Sequence, residues 1–349
     1  MTDRQDQKVA AGSTAIQSAR DTTINHGLGP DEIRAIVDGL ADHLPRMAAV
    51  ATAVVEERLK SFKEEVIGHF DKDATTNRRA FEDPDFVETV ADAQRGYART
   101  GKSDAQKTLI DLIGERSKHD SGNRLSFTLN EAVTVAAKLT KNELSELALS
   151  FLVRQVKIAG INNIEKMGWY HQIVFSEILD DVEVEQASYN YLTAQRCATI
   201  SMGEISLLDC WRQSYPGIFM KGLPKEQYES LAGDAINDTS LFGKSLFDGQ
   251  GLQLMVMDKV TFDQSFSKLE ISNEIKEQIW NQAINNLGDN DQIIQRMNQS
   301  CPMLKQAIDK WDSSMMKHLD LTAVGTAIGY TKMSQISVFA KSNINIWVN

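Results

Sequence analysis

Apolar and polar positions recur along most of this chain at intervals of three and four residues. Behind Gly29-Pro30-Asp31-Glu32, proline sits in a first turn and acids lie at the positive end of a helix dipole. Ile33, Val37, Leu40, Leu44, Met47, Ala51 and Val54 then follow a 4-3 spacing. A second register takes over at Val55, Leu59, Phe62, Val66 and Phe70, the kind of shift a stutter introduces into an a/d seam. Glu56, Glu57, Lys60, Lys63, Glu64 and Glu65 fill the polar faces. The pattern predicts a long amphipathic helical region over residues 29–79, broken or kinked at Pro45 and ending in a polar linker over 71–79. Such a seam serves a bundle within one chain or a coiled coil between chains.

Residues 80–165 predict a helical bundle. Asp83-Pro84 opens a helix with Phe86, Val90, Ala93 and Tyr97 on its face, and Gly101 closes it. Capping boxes are expected at Ser103–Gln106 and Thr140–Glu143, with a further helix over 125–138 between them. Short turns join these helices, which predicts a helical-hairpin stack. Gly160, Asn162, Asn163 and Gly168 mark a boundary, so residues 166–349 are expected to form a C-terminal α+β domain. Within it, 173–191 is ambiguous, and the apolar run from Leu252 suits a strand or a helix. Helical stripes run through Ile275, Ile279 and Leu287, and through Leu304, Ile308, Trp311 and Met315. The alternation of Ile344, Ile346 and Val348 predicts a terminal strand.

Residues 1–28 differ from the rest. They are rich in Ala, Ser, Thr and Gly, and Ile16 and Ile24 are their main apolar anchors. Two short strands are expected, burying too little apolar surface to offset their own ordering entropy. The predicted fold class is therefore mainly α with minor β, with a short β-prone N-terminal segment and long amphipathic helices.

Composition narrows the function classes. Net charge is −11, from 48 acidic and 37 basic residues, which argues against nucleic-acid binding over the whole surface. Cys197, Cys210 and Cys301 show no metal-type spacing and fit a reducing compartment. The polar N-terminus and the lack of a membrane-length apolar run lead us to expect a cytoplasmic protein with no transmembrane segment.

No motif for catalysis, cofactor or metal is complete. Phe242-Gly243-Lys244-Ser245 ends like a phosphate loop, but Asp238 stands where that loop needs glycine, so the segment is read as a loop or helix start. The six histidines form no zinc pair. Nothing local activates Cys197. Asp180, Asp181, Glu183 and Glu185 are read as a solvated acidic face. No catalytic residue, metal ligand or cofactor is assigned.

Two resemblances add to this reading. Leu321-Thr322-Ala323-Val324-Gly325-Thr326-Ala327-Ile328 resembles the segment that starts the last helix of many winged-helix domains. That likeness implies docking to nucleic acid or protein, with Lys332 and Lys341 as the nearby basic contacts. Gly12-Ser13-Thr14-Ala15-Ile16-Gln17, Arg20-Asp21-Thr22-Thr23-Ile24-Asn25 and Gly27-Leu28 resemble the head of a bacterial family with no agreed activity. Asp83-Pro84-Asp85-Phe86, Ala93-Gln94, Tyr97-Ala98-Arg99, the segment from Leu321 to Ile328 and Ile346-Trp347 match it too. Similar heads occur on proteins tied to defence against phage. This chain departs from the family at Ser18-Ala19, where a glycine-containing pair is common.

The leading expectation is a homo-oligomeric, non-enzymatic binding or sensor protein in bacterial antiviral defence. Ile16 and Ile24 would anchor inter-chain β pairing, and Leu40, Leu44, Met47 and Val54 would line the adjoining helices. The alternatives are a nucleic-acid-associated regulator acting through the C-terminal domain and a metal-dependent hydrolase with scattered site residues.

Overall fold

The structure, a computed structural model, describes residues 30–348, with side chains described from Val50 onward. Ile16 and Ile24 lie outside the described residues, as do the side chains of Leu40, Leu44 and Met47. The chain divides into two units, Met1–Val54 and Val55–Asn349.

Helix α1 spans Pro30–Lys72, and the break expected at Pro45 does not end it. A proline removes one backbone bond, and the helical bonds on either side carry the helix past it. The expected linker shrinks accordingly, because a 3-10 turn at Arg78–Glu82 follows soon after Lys72. From Val55 onward the second register is the buried one. Phe62, Val66 and Phe70 are core residues, and Phe62 lies 5.5 Å from Tyr97 between ring centroids.

Four helices follow: α2 (Pro84–Thr100), α3 (Ser103–Arg116), α4 (Arg124–Ala136) and α5 (Lys141–Gln155). Asp83 caps α2 by accepting from the Asp85 N–H, and Gly101, at φ 63°, closes it in the left-handed region that glycine tolerates. Thr140 and Glu143 form the expected box on α5. The box expected at Ser103 is absent. Lys102 occupies the cap position without a side-chain bond, and Gln106 Nε2 donates instead to Ser61 Oγ at 3.4 Å. A long-range partner has displaced the local one.

The ambiguous stretch is helical: α6 (Ile164–Ile178), a 3-10 turn at Leu179–Asp181 and α7 (Gln186–Ala194). Strand β1 (Ala198–Ile200) leads to α8 (Leu207–Ser214), α9 (Pro216–Phe219) and α10 (Lys225–Ala232). Strands β2 (Phe242–Lys244) and β3 (Leu252–Leu254) pair antiparallel, so the segment read as a loop or helix start is a strand. The chain continues through α11 (Lys259–Phe266), α12 (Asn273–Ile284), α13 (Asn290–Met297) and α14 (Leu304–Ser313). Strand β4 (Leu319–Leu321) pairs antiparallel with β1 and runs into α15 (Ala323–Met333). Mainly α with minor β is the observed class.

One large apolar core takes in residues from Phe62 to Val348, and a smaller one gathers around Phe242, Phe262, Phe266 and Trp280. The expected boundary at 165/166 falls inside the large core. Helix α15 packs on α5 so closely that a Cβ on Gly329 would sit 2.6 Å from the Leu147 carbonyl oxygen. Phe151 of α5 meets Tyr330, Phe339 and Trp347 at centroid distances of 6.0, 6.3 and 5.2 Å.

The terminal strand does not form. Ile344–Ile346 is a 3-10 turn capped by Asn343, whose Oδ1 accepts from the Asn345 N–H at 3.0 Å. The alternating side chains do not share a face: Ile344 and Val348 are buried, while Ile346 is exposed. Among the described residues, no helix is long and apolar enough to cross a membrane.

Candidate functional site

A cavity lies at the end of α1. Its volume is about 760 Å³, within the usual range for small-molecule sites. The last turn of α1 supplies His69 and Lys72, and the turn after it supplies Asp73 and Thr75. Helix α3 and its C-terminal extension supply Asp111, Glu115, Lys118 and His119. Tyr330 and Thr331 of α15 and Ser334 at its C-cap, with Lys341, Ser342 and Asn343 beyond, complete the lining.

Local chemistry holds each wall. Asp73 accepts from the Thr75 N–H at 2.9 Å and its hydroxyl at 2.7 Å, and the hydroxyl bond holds the carboxyl below its usual range. Gly114 lets the His69 ring lie against α3, since a Cβ there would stand 2.3 Å from Nε2. His69 Nδ1 is 3.6 Å from Asp111 Oδ1. Gln335 Nε2 donates to Asp111 Oδ2 at 2.9 Å. Burial pushes the Asp111 carboxyl up despite these partners.

Glu115 faces His119 Nε2 at 3.2 Å and accepts from Lys118 Nζ at 2.9 Å. Burial acts to raise its pKa, but these two hydrogen bonds outweigh it and hold the carboxyl down. The Tyr330 hydroxyl donates to the Ser342 carbonyl at 2.6 Å and pins the C-terminal segment over the cavity.

Each carboxylate of the lining therefore has a neighbour from the protein. The amines divide differently. Lys118 is engaged, whereas Lys72 and Lys341 make no ion pair or hydrogen bond among the described residues. Lys341 acts on Asp111 only through space. The lining is formally balanced, with these three lysines facing Asp73, Asp111 and Glu115.

The residues anticipated from sequence sit elsewhere or apart. Val54 is exposed on α1. Lys332 lines a separate cavity of about 240 Å³ beside Asp104, Lys107 and Glu177, and burial lowers its pKa. Lys341 lines the larger pocket, so the two lysines line different cavities. Thr322 does cap α15, accepting from the Gly325 N–H at 3.2 Å. That helix is buried from Gly325 through Thr331. Asp181 of the acidic run binds Lys141 at 2.9 Å. All three cysteines are buried, and burial pushes the Cys197 thiol up to about 12. No group of three or more His, Cys, Asp or Glu among the described residues is arranged to hold a metal.

The sequence did carry one signal for the pocket: Asp111, Glu115 and His119 recur every four residues, a titratable stripe along α3 and the turn after it. No signal marked Glu146. Its side chain is fully buried on α5, accepting from the Ser188 hydroxyl at 2.7 Å and the Glu183 N–H at 3.3 Å. Burial pushes its carboxyl up to about 7, and Glu143 and Glu183 add to the rise.

The unfolded chain ionises Glu146 near 4.5 and the folded chain near 7, so the group's contribution is complete below 4.5 and is lost as pH climbs to 7. Glu146→Gln is expected to stabilise the protein at pH 8 by about 2 kcal/mol and to do little at pH 4. Urea midpoints at both pH values check this; parallel pH profiles for the two proteins would refute it.

Fold and pocket together define a mainly helical protein with a polar, mixed-charge cavity beside one end of a long helix. One family model, whose description reads ":-like", matches residues 27–348, and the chain belongs to that family. No curated protein and no solved structure matches the chain.

Proposed function

We propose that this chain is a self-assembling, non-enzymatic, cytoplasmic binding or sensor protein. The observation that carries the reading is on α1. Val50 and Val54 are 65% and 39% exposed, one turn apart on one helix side, immediately after the stretch that holds Leu40, Leu44 and Met47. Apolar residues at this spacing form a seam that a second copy of the helix can cover. Ile16 and Ile24 would then pair between chains, since the head has too little apolar surface to order alone.

Light scattering tests it. The full chain is expected at a multiple of 38.9 kDa, and removal of residues 1–28 is expected to lower that multiple. A full-length monomer whose state the deletion leaves unchanged would remove the proposal. The head's similarity to heads found on antiphage proteins supports placing the assembly in bacterial antiviral defence. In cells carrying the protein, the same deletion should then restore phage plating; equal plating with both forms counts against that setting.

A further inference from the structure

We propose that residues 183–188 form a proton-controlled strap: Glu146 holds them down on α5 while it keeps its proton, and they lift as the proton leaves. The strap uses none of the residues of the α1 seam, so an inert head deletion would leave it standing.

The strap joins the 3-10 turn at Leu179–Asp181 to the first turn of α7. Residues 182–185 have no regular structure, and Glu183 through Ala187 are exposed. Both ends of this exposed run reach Glu146, the Glu183 N–H at 3.3 Å and the Ser188 hydroxyl at 2.7 Å. The Glu146 side chain itself is fully buried. Water therefore reaches the carboxyl when the run that covers it lifts, an opening of one segment rather than of the whole fold.

The surrounding charges favour that movement once the proton is gone. Glu143 on α5 and Glu183 on the strap both oppose a negative charge on Glu146. Tyr189 of α7 faces the same site, and its hydroxyl donates to the Glu183 carbonyl at 2.5 Å. The nearby cations are occupied. Lys141 pairs with Asp181 at 2.9 Å, and Lys310 of α14 donates to the Leu179 and Val182 carbonyls at 2.8 and 2.6 Å. Glu146 has no ion pair among the described residues. A neutral carboxyl satisfies both strap bonds at little cost in this dry position, whereas a bare carboxylate lies buried without a counter-ion. Lys310 and the Lys141–Asp181 pair fix the turn before the strap in either state, so Val182 is the hinge.

Linkage sets the direction. Closed, Glu146 ionises near 7; lifted, it returns to its ordinary value near 4.5. The equilibrium constant for lifting then grows by about tenfold per pH unit between those values and levels off above them.

Hydrogen exchange of the full chain, corrected for the intrinsic rate at each pH, tests the strap. Protection of the Glu183 and Ser188 amides is expected to fall by at least about tenfold from pH 5 to pH 7, with both amides less protected than those of α4 throughout. Glu146→Gln keeps an acceptor and carries no charge at either pH, so its protection should be the same at both. Glu183→Gln, at an exposed position that folding tolerates, removes one opposing carboxylate and should make the fall smaller. Strap amides as protected as those of α4, no fall in the parent, or an equal fall in the parent and both variants would overturn the proposal.

Discussion

Arg116→Ala is expected to lower the stability of the helical unit by about 3 kcal/mol. The Arg116 side chain is fully buried. Its Nε donates to Asn130 Oδ1 at 2.8 Å and its Nη1 to the His119 carbonyl at 2.7 Å. Its Nη2 donates to Asp85 Oδ2 and Ser121 Oγ, both at 2.6 Å. Truncation empties the space of a long side chain and strips partners from a carbonyl and an amide that water does not readily reach. The ionic part of the loss is smaller than for a sealed pair, because the Asp85 side chain is 40% exposed and water can solvate it.

Arg116→Lys keeps the charge but lacks the planar fork, so one ammonium cannot serve Asn130, His119 and Asp85 together. About half the loss is expected to remain. Urea unfolding checks both variants. If Arg116→Ala stays within about 1 kcal/mol of the parent, the network is not a structural keystone. The His119 carbonyl belongs to the turn that lines the pocket, so this bond also links the Arg116 network to the candidate site.

Gly325→Ala is expected to cost about 3 kcal/mol, near the upper end for overpacking, and to lower the unfolding temperature by about 5 °C. A Cβ at this position would lie 1.9 Å from the Cys197 carbonyl oxygen, a backbone atom. That oxygen has little freedom to retreat, because it accepts from the Thr322 N–H at 3.0 Å and from the Thr322 hydroxyl at 3.1 Å. The side chain must therefore push α15 away from the β1–β4 pair, or break the cap that starts the helix. Gly203→Ala is the control: a Cβ there meets nothing within 4 Å, and a change below about 0.5 kcal/mol is expected. Equal melting of the two variants would show that the helix start yields where its geometry says it cannot.

Two misreadings of the sequence have separate causes. Ser103 and Gln106 had the right spacing for a capping box, yet Gln106 found Ser61, 45 residues earlier. Ile344, Ile346 and Val348 alternated as a strand does, yet no sheet edge receives them and Asn343 closes a 3-10 turn instead. At Gln106 a partner distant in the chain won over the local pattern, whereas at residues 344–346 the local Asn343 cap closed the turn where no partner strand is present among the described residues.

What the sequence determined by itself was the helical character of the chain, the caps at Asp83, Thr140 and Thr322, and the buried register through Phe62, Val66 and Phe70. Capping and apolar periodicity act over one or two turns, so a short window of residues contains their whole cause. Tertiary structure alone decided that α15 joins the core of the first helices, that Glu146 is sealed from water, and that Lys72 and Lys341 line one pocket. Burial and the lining of a pocket belong to a neighbourhood in space, assembled here from segments more than 250 residues apart, and no window along the chain contains them.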